Sequence, residues 1–443
     1  MRRFLLAAIL TFLLAPLAAA ANIERVVSSQ GIEAWLIEDH SNQLISVTIG
    51  FHGGSATDPK GKQGLARLAA ALLDEGAGDM NSAAFQGRLD DLGIEFGFDA
   101  DWDNFTGGMR LLTRDRDEAF RLLGLALSAP RFDADAVARM KAQMRSAIAG
   151  DADDPETLAF QAWLRLALGD HPYTWPIKGT PASLAAISAA DLKAFVARRL
   201  ARDQMKIAVV GDIDAQTLAA LLDQSFAGLP AKAAPIEVPQ ARFATPGGVA
   251  VIERDLAQSV VQFGQAGIAR QDPDFYAAAL IGDIMGAGNL TSRLEGSLRE
   301  QRGLVYSVET YNAPYDHVAI LGGSLATKNA TAGEAITLVR AEWRRMHDEG
   351  PTAQELADAK THMIGSFPVR FTSTYGAAQA LLDIQLEGLP IDYVDHRETL
   401  YQQVTLEDAR RVARKIYDDA ALRFLVLGRP EGVKATLPSP PAE

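Results

Sequence analysis

Ser188 to Gly211 reads SAADLKAFVARRLARDQMKIAVVG, and Thr405 to Gly428 reads TLEDARRVARKIYDDAALRFLVLG. The two segments align without a gap at an offset of 217 residues. Each begins with a hydroxyl residue that stands three positions before an aspartate, a pattern typical of a capping box at a helix N-terminus. Each continues as a basic amphipathic helix and then becomes an apolar strand that stops at glycine. The alignment indicates that the chain contains one helix–strand unit twice.

A second pair of segments repeats in the same order along the chain. Asp133 to Met144 (DADAVARMKAQM) pairs with Thr352 to Met363 (TAQELADAKTHM) at an offset of 219 residues. Two aligned pairs at nearly the same offset predict two homologous halves, residues 22–230 and residues 243–432.

Two further segments lie between and after these halves. Residues 231–242 carry two prolines and no clear periodicity, which predicts an extended linker. Residues 433–443 form a proline-rich tail, in which the stretch from Leu437 to Glu443 is predicted to be disordered.

The first residues of the chain have the pattern of an export signal. Met1 to Arg3 is basic, Phe4 to Leu14 is a nearly unbroken apolar run, and Leu17 to Ala21 ends in small residues. An apolar run of about 11 residues is too short to span a bilayer as a helix, and no later segment approaches about 18 apolar residues. Residues 1–21 are therefore predicted to be removed. The remaining protein is expected to be exported and periplasmic, without an integral membrane segment.

Composition and charge exclude several classes of protein. The formal net charge of the 443 residues is −13, and it becomes −15 when Arg2 and Arg3 are lost with the signal. This charge argues against nucleic acid or an anionic membrane as a partner. The absence of cysteine excludes disulfides, thiolate zinc sites and a cysteine nucleophile. With 48% hydrophobic and 22% charged residues, the chain has the composition of a globular protein.

Within each half, predicted strands occur in sequential pairs that are followed by runs of helices. In the first half, strands are expected over residues 32–37, 45–51 and 96–112, and helices over residues 117–128 and 133–149. This order favours an α+β fold in which each half is a mostly antiparallel sheet covered by helices on one face.

Several motifs resemble those of the pitrilysin or insulinase-like zinc peptidases. GGSATD at Gly53 to Asp58, KQGLA at Lys62 to Ala66 and LLDEG at Leu72 to Gly76 resemble the amino-terminal domain of that family. AGNLTSRL at Ala287 to Leu294 and LREQRGLVYSV at Leu298 to Val308 resemble its carboxy-terminal domain. The resemblance covers nearly all of the chain after the signal and implies a two-domain protein that forms half of a clamshell.

Active members of this family carry an inverted zinc motif, HxxEH, on the helix that follows the glycine-rich turn. The two histidines bind zinc from one helical face, and the glutamate is the general base for a zinc-bound water. Within the predicted helix Gly64 to Asp74, these three positions correspond to Arg67, Ala70 and Ala71. A fixed charge at Arg67 about 4 Å from a divalent ion would be repelled by roughly 8 kcal/mol at an effective dielectric of 20.

The third zinc ligand of the family is also absent. The resemblance places that glutamate in residues 142–150, which contain no carboxylate (AQMRSAIAG). This chain is therefore expected to bind no metal and no other cofactor, and it resembles the metal-free subunits of the mitochondrial-processing-peptidase-like branch. In such pairs the zinc belongs to the partner subunit.

The sequence offers no replacement metal site. No two of the seven histidines stand at a helical spacing of three or four residues, and His52, the one near the glycine-rich turn, is interpreted as structural or solvent-facing. Asp99, Asp101 and Asp103 mimic the start of a calcium loop, but Asn104 stands where that loop needs glycine, and its last ligand position is Arg110. The three acids are instead interpreted as one face of a strand.

One functional pair of the family is intact. The resemblance implies an arginine and a tyrosine seven residues apart, which correspond here to Arg299 and Tyr306. An arginine fork can hold a peptide carbonyl or carboxylate, and a phenolic hydroxyl can donate to the oxyanion that forms when water attacks the scissile carbonyl. The alternative is that Arg299 is a solvated residue at a helix end and that Tyr306 packs on the core.

A short glycine-containing segment precedes this pair. Gly286, Gly288 and Asn289 resemble the substrate-contacting loops of metal-free subunits, and a helix C-cap is the alternative interpretation.

These observations lead to a functional hypothesis with two alternatives. The chain is predicted to be the non-catalytic subunit of an exported heterodimeric zinc metallopeptidase that acts on peptides. Its Arg299 and Tyr306 would then act on substrate held by a homologous, HxxEH-containing partner. The first alternative is an inactive peptide-binding or scaffold protein of the same fold, and the second is a hydrolase with an unrecognised site.

Overall fold

A computed structural model describes residues 22–286 and 291–440, and it contains two large sheets and one small hairpin. The strands, in chain order, are β1 Glu24–Val27, β2 Glu33–Glu38, β3 Leu44–His52, β4 Gly76–Ala77, β5 Met80–Asn81, β6 Glu95–Ala100, β7 Asn104–Leu112, β8 Met205–Gly211, β9 Gly248–Glu253, β10 Gln258–Ala266, β11 Val305–Tyr315, β12 Val318–Lys328 and β13 Arg423–Gly428.

The helices pack against these sheets. In chain order they are α1 Leu65–Ala70, α2 Ser82–Leu92, α3 Arg116–Ser128, α4 Ala134–Asp151, α5 Pro155–Leu168, α6 Pro181–Ala186, α7 Ala189–Arg199, α8 Ala215–Phe226, α9 Phe275–Met285, α10 Ala332–Glu349, α11 Ala353–Ser366, α12 Thr374–Leu386, α13 Tyr393–Gln402 and α14 Leu406–Ile416. A π-helical turn covers Glu295–Glu300. The capping boxes predicted for α7 and α14 are both formed, by Ser188 with Asp191 and by Thr405 with Asp408.

The two large sheets share one topology, which confirms the repeat. The first has the order β1-β2-β8-β3-β7-β6, and the second, written from the same side, has the order β9-β13-β10-β12-β11. In both sheets the β2–β8 and β9–β13 pairs are parallel, whereas all other neighbours are antiparallel. The predicted α+β fold with two mostly antiparallel sheets is therefore confirmed, and β1 is an additional strand of the first sheet.

The two faces of strand β3 have different sequences because they meet different helices. Ile45, Val47, Ile49 and Phe51 alternate along one face and are fully buried in the core of the first half. The other face carries small side chains, and a Cβ added at Gly50 would lie 3.1 Å from Leu386 at the end of α12. Small residues on this face allow a helix from the second half to approach the sheet closely.

The second sheet is in turn covered by a helix from the first half. Helix α5 of the first half packs on β10 and β13, where Trp163 is fully buried and its Nε1 donates to the carbonyl of Arg423 at 3.0 Å. A Cβ at Gly264 would lie 2.6 Å from the Trp163 ring. Helices therefore cover both faces of each sheet. The expectation of one covered face is wrong because one helix of each half packs on the sheet of the other half.

The predicted strand over residues 96–112 is a hairpin. Strand β6 ends at Ala100, and one carboxylate oxygen of Asp101 accepts the N–H groups of Asp103 and Asn104 at 2.7 Å each, which closes the turn before β7. The interpretation of Asp99, Asp101 and Asp103 as one strand face is therefore wrong, because only Asp99 lies in a strand. Asp101 is a turn residue that bonds to its own backbone.

The segment between α8 and β9 contains no helix or strand and follows the surface of the junction between the halves. The N–H of Ala234 donates to the carbonyl of Arg198 at 2.8 Å, and the N–H of Ala241 donates to that of His317 at 2.9 Å. The N–H groups of Thr436 and Leu437 both donate to the carbonyl of Val249, at 2.8 and 3.0 Å.

The prediction that the tail is disordered is therefore wrong for residues 437–440, because this stretch is held against strand β9. Residues 441–443 and the predicted signal, residues 1–21, lie outside the described part of the chain. None of the described helices is long and apolar enough to cross a membrane.

Candidate functional site

The helix that carries the zinc motif in active members of the family is short in this chain. Helix α1 covers only residues 65–70, rather than the predicted stretch to Asp74, and Ala71 is its C-terminal cap. The carboxylate of Asp58 accepts the backbone N–H groups of residues 64–66 at 2.8 to 3.0 Å, which satisfies donors at the start of the helix. The glycine-rich turn thus fixes the position of α1.

An ion pair within the chain occupies the position that the resemblance assigns to the first zinc ligand. The guanidinium of Arg67 pairs with the carboxylate of Asp99 on the edge strand β6, and the two side chains are 36% and 58% exposed. Burial lowers the pKa of Arg67, but a guanidinium keeps its proton at neutral pH. Ala70 is buried and, like Ala71, has no donor atom for a metal. These residues do not fit a zinc ion.

The helix that would supply the third ligand does not compensate. Residues 142–150 lie in α4, and the first carboxylate after them, Asp151, forms an ion pair with Lys178 at 2.8 Å. Within residues 22–286 and 291–440, no three His, Cys, Asp or Glu side chains are grouped so that they could hold a metal ion.

Arg299 is held in place by a buried glutamate. Arg299 lies in the π-helical turn and is 40% exposed, and its Nη1 contacts the carboxylate of Glu295 at 3.2 Å. The other oxygen of that carboxylate accepts the N–H of Val308 at 3.0 Å. Glu295 therefore joins the turn to strand β11 and holds the guanidinium end of Arg299.

Tyr306 is the most exposed large hydrophobic side chain in the described part of the chain. It is 88% exposed, although it lies in strand β11. The register of β11 against β12 shifts by one residue between Val305 and Val308, so Tyr306 belongs to a β-bulge on an edge strand. Bulges of this kind redirect side chains and are frequent beside active sites. The alternative that Tyr306 packs on the core is wrong.

The structure brings Arg299 and Tyr306 together. The Arg299 Cζ atom lies 5.8 Å from the centre of the Tyr306 ring, within the range of a weak cation–π contact. Both side chains extend into solvent, and their common support is the turn that Glu295 anchors.

The glycine segment can be described only in part. Gly286 caps α9, its N–H donates to the carbonyl of Gly282 at 3.0 Å, and its own carbonyl accepts the N–H of Thr310 at 3.1 Å. At Gly286 the structure therefore shows the helix C-cap. Gly288 and Asn289 lie outside the described residues.

The tips of the two edge hairpins meet in a buried polar junction. The carboxylate of Asp103 accepts the hydroxyl of Tyr173 and, at 3.1 Å, the N–H of Asp316 from the other half. The N–H of His317 donates to the Tyr173 oxygen at 3.1 Å. His52 belongs to the same junction, since its Nδ1 lies 3.7 Å from the carboxylate of Asp316.

Asp103 should make the stability of the protein dependent on pH. Burial raises its pKa to about 7, although the hydrogen bond from Tyr173 acts in the opposite direction. An unfolded aspartate loses its proton near pH 4, so the free energy of unfolding should fall as pH rises from about 4 to 7. For Asp103 alone the loss is at most about 4 kcal/mol.

Asp103→Asn should flatten this slope in urea unfolding measured at several pH values. Asp170→Asn is the matched control, since its carboxylate is 80% exposed, and it should keep the wild-type slope. An unchanged slope in Asp103→Asn would contradict the assignment.

Comparisons with known proteins agree with this geometry. Residues 186–363 match the sequence profile of a family described as "Peptidase M16 inactive domain". Over 405 residues, 91% of this chain and 92% of the other, the sequence is 25% identical to the "Non-peptidase homolog YmxG" of Helicobacter pylori. A crystal structure of a peptidase M16 inactive domain from Pseudomonas fluorescens is similar with a TM-score of 0.85 and 28% identity, and the match covers 94% of this chain and 100% of that one. Residues 186–363 are therefore similar to the M16 inactive domain, and the chain as a whole is similar to M16 proteins in sequence and in fold.

The relatives of this chain carry two kinds of name. An "uncharacterized zinc protease" of Mycobacterium tuberculosis is 26% identical over 289 residues, 65% of each chain. The names of the Helicobacter protein and the Pseudomonas structure fit an M16 chain that binds no metal. The resemblance inferred from the sequence motifs is confirmed.

The chain also contains a cavity of about 1670 Å³ between α5, residues 169–181 and the second sheet. Phe160 and Trp175 form part of its wall, Glu309 and Tyr311 face it from β11, and the C-terminal residues 437–440 close one side. Arg299 and Tyr306 are not part of its wall, so the exposed pair and the cavity are separate surfaces.

Several residues of the site were not predicted from the sequence. Asp99 was not recognised as the partner of Arg67, because contacts between a helix and a distant strand leave no local pattern. Glu295 is a partner of Arg299 that the sequence motifs do not include. It stands four residues before Arg299, a spacing at which a glutamate and an arginine meet on a helix. That spacing could have identified it.

Proposed function

We propose that this chain is the metal-free subunit of a two-chain zinc metallopeptidase that acts on peptides outside the cytoplasm. The observation that carries this proposal is the exposed pair Arg299 and Tyr306. Arg299 contacts both Glu295 and the Tyr306 ring. The position that the resemblance assigns to the first zinc ligand is taken by an ion pair between Arg67 and Asp99. The pair Arg299 and Tyr306 could act on a peptide if another subunit held the reacting centre.

The chemistry of the pair matches one part of peptide hydrolysis. A homologous HxxEH subunit would supply the zinc, which activates water and polarises the scissile carbonyl. The hydroxyl of Tyr306 can donate to the oxyanion that develops on that carbonyl. The guanidinium of Arg299 can hold a neighbouring carbonyl or the peptide carboxylate with two directed donors.

The local structure favours this use over a solvated surface role. Glu295 is buried and occupies one amino nitrogen of Arg299, which limits the positions that the side chain can adopt. The bulge in edge strand β11 directs the Tyr306 ring into solvent. In this position the ring does not contribute to stability through burial. A guanidinium held in this way loses less conformational entropy when it binds a substrate.

Two half-size chains would close into a clamshell around the peptide, with the zinc on one side and Arg299 and Tyr306 on the other. The proposed location outside the cytoplasm rests on the signal-like pattern of residues 1–21. Extended peptides are the proposed substrates, since the pair recognises backbone carbonyl and carboxylate groups.

Reconstitution tests this function directly. The purified chain should be mixed with an HxxEH-containing M16 subunit from the same cell and incubated with a library of fluorogenic peptides. Hydrolysis by the mixture, at a rate well above that of either subunit alone, is expected. Peptide binding without any gain in hydrolysis would support the inactive binding protein instead, and chelator-resistant hydrolysis by the pure chain would contradict both.

Metal analysis should separate the two subunits. Because Arg67, Ala70 and Ala71 stand at the ligand positions, the purified chain is expected to carry far less than one zinc per molecule by mass spectrometry. Its melting temperature should be unchanged by a chelator, whereas the HxxEH subunit serves as the positive control. Stoichiometric zinc that survives dialysis would overturn the assignment of this chain as the metal-free subunit.

A further inference from the structure

The C-terminal segment, residues 436–440, lies along the outer side of β9. Strand β9 is at the edge of the second sheet, with β13 on its other side. The N–H groups of Thr436 and Leu437 donate to the carbonyl of Val249, and the N–H of Val249 donates to the Thr436 hydroxyl at 2.9 Å. The hydroxyl of Ser439 donates to the carbonyl of Val251. The segment therefore binds an open sheet edge as a short peptide would.

Strand β9 is shaped to receive this segment. A Cβ at Gly248 would lie 2.6 Å from the Thr436 hydroxyl oxygen and 2.8 Å from Cγ of Leu437. Gly248 also has a φ of +155°, which side-chain-bearing residues rarely adopt. Glycine at this position allows the C-terminal segment to approach the strand closely.

Leu437 is the apolar anchor of the segment. It packs on the buried cluster that contains Trp163 and Leu425, next to helix α5 of the first half. Leu437, Pro438, Ser439 and Pro440 also form part of the wall of the 1670 Å³ cavity. The segment thus occupies one end of a groove that continues as unfilled space beside α5.

The attachment of the segment is limited. Its described hydrogen bonds reach only Val249 and Val251, its two described prolines have no N–H to donate, and no ion pair holds it among the described residues. It lies on the outer side of an edge strand, so its release breaks no strand pairing within the sheet. A competing peptide could therefore replace it without unfolding the sheet.

We propose that residues 436–440 are a displaceable strap that occupies, within the same chain, one end of a peptide-binding groove formed by β9 and the cavity beside α5. The ligand class is an extended peptide with a branched apolar residue followed by proline. The proposal rests on the proposed function in that the ligand is a peptide, but it concerns binding to this chain alone.

An exchange experiment tests the strap. A fluorescein-labelled peptide with the sequence of residues 435–443, ATLPSPPAE, is titrated with full-length wild-type chain and with the full-length Leu437→Ser variant. Fluorescence anisotropy should show at least a tenfold lower Kd for the variant, because its own segment no longer fills the site. The same peptide with serine in place of its leucine should bind neither chain, and Lys434→Ala, outside the strap, should behave as wild type.

Hydrogen exchange gives an independent measurement. Release of the strap should accelerate exchange of the Val249 amide in Leu437→Ser, and the added wild-type peptide should restore its protection. Equal Kd values for both chains, or peptide binding that does not depend on the leucine, would contradict the proposal that residues 436–440 are displaceable.

The outcome is also separable from that of the proposed function. Peptide exchange without partner-dependent hydrolysis would keep the strap and reject the two-chain peptidase. Hydrolysis without peptide exchange would do the reverse.

Discussion

We expect Tyr306→Phe to lower kcat/KM of the reconstituted two-chain enzyme by about 100- to 1000-fold, because loss of one oxyanion donor typically costs about 2.7 to 4 kcal/mol of transition-state stabilisation. The substitution removes only a hydroxyl from a side chain that is 88% exposed. The free energy of unfolding should therefore change by less than about 0.5 kcal/mol. The measurement is steady-state hydrolysis of a fluorogenic peptide, with urea unfolding of the isolated chain beside it.

A matched tyrosine supplies the control for this experiment. Tyr375 lies in α12 and is 49% exposed, so Tyr375→Phe removes a hydroxyl from a comparable surface position. It should leave kcat/KM unchanged. If Tyr306→Phe and Tyr375→Phe give the same activity, the hydroxyl of Tyr306 is not used.

Arg299→Ala should also lower kcat/KM, whereas Arg302→Ala, an exposed arginine of the next turn that pairs with Glu334, should not. Arg299→Lys should recover only part of the activity, since an ammonium group cannot form a two-donor fork.

The largest effect on stability is expected at Trp163. Trp163→Ala should reduce the free energy of unfolding by about 3 to 5 kcal/mol, because truncation of a fully buried tryptophan loses apolar contact and leaves a cavity. It also removes the donor to the carbonyl of Arg423. Urea unfolding followed by circular dichroism measures the loss. The transition should remain single, since Trp163 belongs to the first half and packs on the sheet of the second.

Trp175→Ala is the control for this substitution. Trp175 lies in the wall of the cavity and is only half-buried, so its truncation should cost about 1 kcal/mol. Two separate transitions in the wild-type protein, or equal losses for the two variants, would contradict the idea that the exchanged helices couple the halves.

The repeat and the fold class could be predicted from the sequence. The capping boxes at Ser188 and Thr405 depend on residues three positions apart, and the strand patterns depend on neighbours two positions apart. Such local signals survive in a single sequence. The assignment of Arg67, Ala70 and Ala71 to the zinc-motif positions depends on the resemblance of the glycine-rich motif beside them and stays a prediction.

The contacts between distant segments could not be predicted in the same way. The apolar face of α5 does not reveal which sheet it covers, because helical periodicity identifies the buried face of a helix and not its partner. The exposure of Tyr306 depends on a one-residue bulge that the β-rich sequence around it does not reveal. The order in residues 437–440 depends on Gly248, almost 190 residues away. The proline content of this stretch, taken alone, predicts disorder.

The exchanged helices have a consequence for the order in which the protein is made. The strands of the first sheet are complete once β8 ends at Gly211, but α12, which covers their second face, ends at Leu386. At about 5 to 20 residues per second, ribosomes need roughly 10 to 35 s to synthesise the intervening stretch. During that interval the nascent first half presents an uncovered sheet face. The first half is therefore finished only after α12 of the second half has been synthesised.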